Sequence, residues 1–243
     1  MFNHNFLTPP KLIKVDENGT RRYQIPSGHS YESVTNYIGR LFPKPDLHKW
    51  RKRVGEKKAT QISTAAATRG TALHKAAESY LLNETPDLEN SPTTKDLFIK
   101  IRPIIDRLNN IRLIETPLYS DELELAGTPD VIADYSGELS VVDFKSSTRM
   151  KKKFDIMNYW LQCGAYGIMY NEHFGEFPVK SVIIFGVPTL PFGICQIVPM
   201  EDCVRWFQEF RKDPQSFYDR LEVVRDTLKR RPPINDPNAL YEA

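Results

Sequence analysis

The chain has 243 residues, with 33 basic and 31 acidic side chains and a formal charge of +2. That length can bury one substantial core, and so small a net charge neither requires nor excludes a nucleic-acid partner, so local clusters must decide. The first ten residues have neither the basic start and apolar core of a signal peptide nor an Arg-rich transit pattern, and no stretch reaches the ~20 apolar residues of a membrane span.

Residues 11–15 and 21–25 flank Asp16-Glu17-Asn18-Gly19 and predict an N-terminal β-hairpin with Asn-Gly at its turn. Ser33-Val34-Thr35 opens a short helix toward Leu41, ended by Pro43 and Pro45. A basic helical stretch covers 47–58. A second helix covers 63–82 with Ser63 or Thr64 as its N-cap. Residues 83–94, rich in Pro, Asn, Asp and Thr, form a loop, and a third helix runs over 95–109 with Pro103 as a possible kink.

The hydrophobic period then changes. Residues 112–118, 122–126, 131–135 and 139–145 predict strands, 152–170 a helix, and 179–187 and 194–198 further strands. Residues 201–230 are helical with an interruption near Pro214, followed by a loose tail at Pro232-Pro233. Strands framed by helices predict an α/β fold, a central mixed sheet flanked by helices. One domain over 1–243 is expected. It comprises an N-terminal hairpin and basic helical region (1–62), a core (63–200), and C-terminal helices and tail (201–243).

Cys163, Cys195 and Cys203 lack CxxC spacing, so neither a disulfide framework nor a four-cysteine iron–sulfur cluster is expected. The expected location is cytoplasmic, in a bacterium or a phage-infected host cell, with no membrane partner.

The informative segment runs from Gly127 to Lys145. If Ser136-Gly137 forms a two-residue hairpin loop, paired residue numbers sum to 273 and Asp130 lies opposite Asp143; an odd-length loop shifts this by one. Opposed residues have Cβ atoms roughly 4.5–5.5 Å apart, and like charges there repel. Alternation puts Asp143 and Lys145 on one face and Phe144 on the other, on a strand apolar on both faces before Asp143, hence central. Two carboxylates so placed share a proton or hold a cation. A hard divalent ion, Mg²⁺ or Mn²⁺, suits oxygen ligands, one or two ions being compatible with this set. Such an ion would activate water for hydrolysis, with Lys145 orienting that water or neutralising developing charge. An ordinary strand pair with an Asp–Lys ion pair is the plain alternative.

At these residues, Pro129-Asp130, twelve intervening positions and Asp143-Phe144-Lys145, the chain resembles the PD-(D/E)xK nuclease superfamily, with Asp as the second acid. Arg69-Gly70-Thr-Ala-Leu-His74 looks like the Gly-x-x-x-His helix of the RecB-like branch. That resemblance implies His74 as a metal ligand beside Asp130, Asp143 and the Phe144 backbone carbonyl, with Gly70 letting the helix approach closely and Glu78 a candidate to orient the imidazole. It also implies an acid near the metal at Glu115, read here as a strand residue; a solvent-facing carboxylate is the equal alternative. Gln162-Cys-Gly-Ala-Tyr166 looks like the branch's Gln-x-x-x-Tyr motif, continued along one helix face by Asp155 and Asn158. Gln162 and Tyr166 would then contact the scissile phosphate or hold Lys145.

The Tyr31–Ile38 segment and the Trp-containing basic stretch are similar to the mitochondrial genome maintenance exonucleases and their phage and bacterial relatives. The implied activity is a deoxyribonuclease acting on single-stranded ends or flaps, in replication, recombination, repair or phage DNA metabolism. An endonuclease on the same core and a non-catalytic DNA-binding module are the alternatives. DNA is the expected partner, and the motifs do not set an oligomeric state. Lys49-Trp50-Arg51-Lys52-Arg53 suits a single strand, charge tracking phosphates while the ring stacks on a base; a solvated face with Trp50 buried is the alternative. Arg69, Arg149, Lys151 and Lys152 are further candidates to meet DNA, whereas Lys229-Arg230-Arg231 reads as a solvated tail.

Overall fold

The computed structural model describes residues 1–17, 19–42, 45–89 and 91–230. The Asn18 half of the first turn, Pro43, and the tail with Arg231 and Pro232-Pro233 lie outside the described residues. The fold is α/β, with two mixed five-stranded sheets and seven α-helices among the described residues.

The larger sheet holds β4 (Leu108–Ile114), β7 (Val131–Tyr135), β8 (Glu138–Ser146), β9 (Lys180–Gly186) and β10 (Ile194–Pro199), in the order β10-β9-β8-β7-β4. Strand β8 is central, as its apolar residues on both faces predict, and it runs parallel to β9 but antiparallel to β7. One face, with Ile132, Val141, Ile183 and Phe185, packs against Trp160, Leu161 and Ala165 of α5 (Met157–Phe174) and Phe207 of α6 (Met200–Lys212). The opposite face, with Val131, Val142, Phe144 and Ile184, packs against Leu73 and Ala77 of α3 (Glu56–Leu81) and Leu97 and Ile101 of α4 (Pro92–Ile105). Burial on both faces leaves only the strand ends open to chemistry.

The smaller sheet has the order β1-β2-β3-β6-β5, with β1 (Ile13–Glu17), β2 (Thr20–Gln24), β3 (Ser30–Ser33), β5 (Leu118–Ser120) and β6 (Leu125–Gly127). Its first hairpin is the predicted one; β3 is an addition. Ser33 ends β3 and caps α1 (Val34–Leu41), its hydroxyl accepting from the Asn36 amide.

Several boundaries move for identifiable reasons. The basic stretch and the helix expected from Ser63 are instead α2 (Pro45–Val54) and the 26-residue α3, which begins at Glu56. Gly55 breaks them with φ 84°, a conformation that costs glycine little, and an Arg51–Glu56 ion pair of 2.6 Å spans the break. Ser63 and Thr64 therefore lie inside α3, where neighbouring alanines carry the helix through them. Helix α4 starts three residues early because Ser91 caps it and Pro92 occupies its first turn; it ends two residues after Pro103. The expected strand over 112–118 is broken at Glu115, and residues 121–124 form a turn before β6. Residues 153–156 form a 3-10 turn before α5, and α7 (Pro214–Arg230) begins where the interruption was expected. Among the described residues no helix is long and apolar enough to cross a membrane.

Candidate active site

The β7–β8 hairpin has the register that a two-residue loop imposes. Val131 pairs with Val142 and Tyr135 with Glu138, while Ser136 and Gly137 take φ values of 52° and 85°. Continuing that register one position past Val131 sets Asp130 against Asp143. The ladder stops there, and the two carboxylates turn to different partners.

Asp130 is buried, and its Oδ2 accepts from the Phe144 amide at 2.7 Å and lies 3.4 Å from His74 Nδ1. A strand residue's N–H and C=O leave by the same edge, so the Phe144 carbonyl also faces this side of β8. His74 arrives from α3, held over the sheet by Leu73, Ala76 and Ala77, with its ring edge-on to Phe144 at 6.2 Å. Glu115 is not on a strand. It sits between β4 and β5 with φ 45°, its amide donating to the Asp130 carbonyl at 2.9 Å and its Oε1 3.9 Å from His74 Nδ1. That bond carries the β4–β7 register one step past Ile114–Val131, and the left-handed φ of Glu115 is where the chain turns away. The carboxylates beside the imidazole are thus Asp130 and Glu115; Glu78 makes no ion pair with it. Nor does Gly70 need to be glycine for contact, since a Cβ there would meet Ser146 Oγ at an ordinary 3.7 Å.

A left-handed conformation strains a non-glycine residue by roughly 1–2 kcal/mol. Glu115→Gly is therefore expected to be more stable than Glu115→Ala by about 1 kcal/mol in urea denaturation. Equal midpoints would show that the turn carries no strain.

His74, Glu115 and Asp130 each offer a ligand atom, all within 4.8 Å of one another. Burial alone would pull the imidazole down, but Asp130 and Glu115 outweigh it and push His74 up to about 10. The group therefore draws positive charge, and one imidazole nitrogen with two carboxylates fits a hard divalent cation. Asp143 stands outside this set of three. Its carboxylate is ion-paired with Lys145, and Gln162 Nε2 donates to its Oδ1 at 3.4 Å. Burial raises Asp143 to about 6 against the pull of Lys145, with Asp130 adding to the rise. Lys145 is raised although burial opposes it, because Asp143 and Asp130 favour the ammonium. Asp130 is lowered despite its burial, through His74 and Lys145.

Helix α5 supplies the other wall. Gln162 also donates to the Tyr166 hydroxyl at 3.2 Å, so Tyr166 supports Gln162 and, through it, Asp143 rather than Lys145. Tyr166 fits because Gly127 has no side chain; a Cβ there would come within 2.5 Å of its ring. Asp155 does not extend this face, lying in the 3-10 turn with its carboxylate accepting from the Lys152 amide. Sequence reasoning passed over Tyr159, whose ring lies 4.9 Å from Lys145 Nζ. Its position three residues before Gln162, on the same helix face, was the available signal.

The candidate DNA-binding cations are spread wider. Lys49, Lys52 and Arg53 are exposed on α2, Trp50 is half-buried, and Arg51 is held by Glu56 and Thr60. Arg69 lies on α3 one turn before Leu73, with its Nε buried and lacking a hydrogen-bond partner among the described residues. Arg149 and Lys152 are exposed on the segment leaving β8. Lys151 is half-buried there, its amine lowered by burial and by Arg149.

Residues 100–209 match the PD-(D/E)XK nuclease superfamily, a span that includes Glu115, Asp130, Asp143, Lys145, Gln162 and Tyr166. The chain is also similar to mitochondrial genome maintenance exonuclease 1 of Xenopus tropicalis, at 24% identity over 74% of this chain and 53% of the relative. The mouse protein of that name is 25% identical over 51% of this chain and 39% of its own length. The human one is 27% identical over 49% and 37%. The chain thus spans about half or less of the length of these curated relatives.

Proposed function

We propose that this chain, whose residues 100–209 match the PD-(D/E)XK nuclease superfamily, hydrolyses DNA phosphodiester bonds with Mg²⁺ or Mn²⁺, working from free single-stranded ends. The observation that carries this reading is the meeting, at one end of β8, of a cation-seeking His74–Glu115–Asp130 group with the Asp143–Lys145 pair. His74, Glu115 and Asp130 would hold the metal, with Asp143 and the Phe144 carbonyl as adjoining oxygen donors. When bound, the ion supplies Lewis acidity toward a phosphoryl oxygen and a more acidic water.

The chain's own groups do the rest. Lys145, kept charged by Asp143, offers its ammonium to the negative charge that builds on the phosphate oxygens. Gln162, braced by Tyr166, fixes the Asp143 carboxylate and so the direction of that ammonium. Exposed Lys49, Lys52 and Arg53 on α2, with Trp50, Arg69, Arg149, Lys151 and Lys152, would track the phosphates of an incoming strand. The word exonuclease in the names of the three relatives supports action from ends, and replication, recombination or repair is the setting proposed for it.

Digestion of linear and covalently closed circular single-stranded DNA tests the preference for ends. Linear strands are expected to disappear while circles persist. Circles cut as fast as linear strands would replace the exonuclease reading with an endonuclease on the same core.

A further inference from the structure

We infer that Tyr159 is a positioning residue for Lys145, and that its ring face rather than its hydroxyl does the work. The inference rests on the hydrolytic role proposed for Lys145. A lysine ammonium ends four methylenes and loses much rotamer freedom when held in one place. One carboxylate fixes its distance from a single point but leaves it free to swing around that point. Asp143 is that point, because it lies two residues back on the same face of β8.

A second contact restricts the swing. Phe185 is the β9 register partner of Lys145 and is almost fully buried, so it forms the floor beneath the lysine stem. The Tyr159 ring leans on that floor at 6.4 Å and 46°, and Lys145 Nζ lies 4.9 Å from the Tyr159 centroid. The ammonium is thereby held between a carboxylate and the electron-rich face of a ring, with 18% of the Lys145 side chain open to solvent. A cation over an aromatic face is attracted more strongly as water is removed. The Tyr159 hydroxyl has no hydrogen bond to a described residue, and what the side chain lays against the Lys145 ammonium is its ring.

On α5 the positions 159, 162 and 166 therefore act together. Tyr159 holds the lysine, while Gln162 and Tyr166 hold the aspartate paired to it. Tyr159 extends the recognisable Gln-x-x-x-Tyr spacing by one turn toward the helix start.

The test is kcat and KM for end-labelled single-stranded DNA with Mn²⁺, using wild type, Tyr159→Phe and Tyr159→Leu, with melting temperatures for all three. Tyr159→Phe should stay within about twofold of wild type, and Tyr159→Leu should lose about tenfold in kcat with KM nearly unchanged. A Phe variant as impaired as the Leu variant would move the role to the hydroxyl and overturn the inference. An active wild type matched by Tyr159→Leu would overturn it too, leaving the hydrolytic reading intact. A wild type without hydrolysis would sink that reading and this role together. Should Tyr159→Leu fail to fold, the Lys145 methylene proton signals of the wild type decide. Ring-current upfield shifts beyond those of exposed lysines such as Lys57 and Lys58 are expected, and signals no more shifted than theirs would overturn the contact.

Discussion

Replacing Lys145 with alanine is expected to lower DNA cleavage by about 10²–10³-fold while leaving DNA binding close to wild type. The ammonium is the positive group paired with Asp143, so in the proposed mechanism its removal deprives the phosphate oxygens of a donor at the point where charge builds. In the proposed reading, binding draws instead on cations spread over α2, α3 and the segment after β8. The same substitution strips Asp143 of its partner inside the sheet. Removing one member of a buried ion pair costs roughly 3–5 kcal/mol, so a lowered melting temperature should accompany the lost rate. Single-turnover cleavage measured beside fluorescence anisotropy on one labelled strand separates the two effects. Parallel losses of rate and affinity would show that Lys145 serves binding.

Asp130→Asn should have an effect at least as large, about 10³-fold, because a Lewis-acid metal is worth several kcal/mol and each 1.36 kcal/mol is tenfold. Asparagine keeps an oxygen to accept from the Phe144 amide, so the hairpin should persist. What disappears is the charge that faces His74 and that a metal would share with Glu115. Wild type should therefore gain several degrees in melting temperature on adding Mn²⁺, as any ligand bound only by the native state gives, whereas Asp130→Asn should not. An equal gain in both proteins would place the ion elsewhere.

The legible parts of this chain were those set by local rules. Ser136-Gly137 announces a tight turn because both positions must take positive φ, and the alternation around it aligns Asp130 with Asp143. Apolar residues on both faces of β8 announce a central strand. What could not be read was set over distance. Ser63 and Thr64 have the composition of helix caps, yet α3 passes through them because the real break is the left-handed Gly55. Glu115 lies in a β-like stretch and its amide still meets the Asp130 carbonyl fifteen residues away, but its backbone takes φ 45° and leaves the strand, with the carboxylate beside His74. The parallel pairing of β3 with β6 joins two strands of three or four residues, too short to show a period. The candidate site divides in the same way. Its hairpin acids follow from turn chemistry, whereas the separate partners of Asp130 and Asp143, and the ring beside Lys145, depend on which helix packs on which face.

The most direct measurement is degradation of an end-labelled single strand, each end blocked in turn, with Mg²⁺ or Mn²⁺ and with a chelator. Metal-dependent shortening from an unblocked end, abolished by the chelator and by Asp130→Asn, is the predicted result. Strands left intact by the wild type, or shortened equally by wild type, Asp130→Asn and Lys145→Ala, would contradict the assignment of hydrolysis to this end of β8.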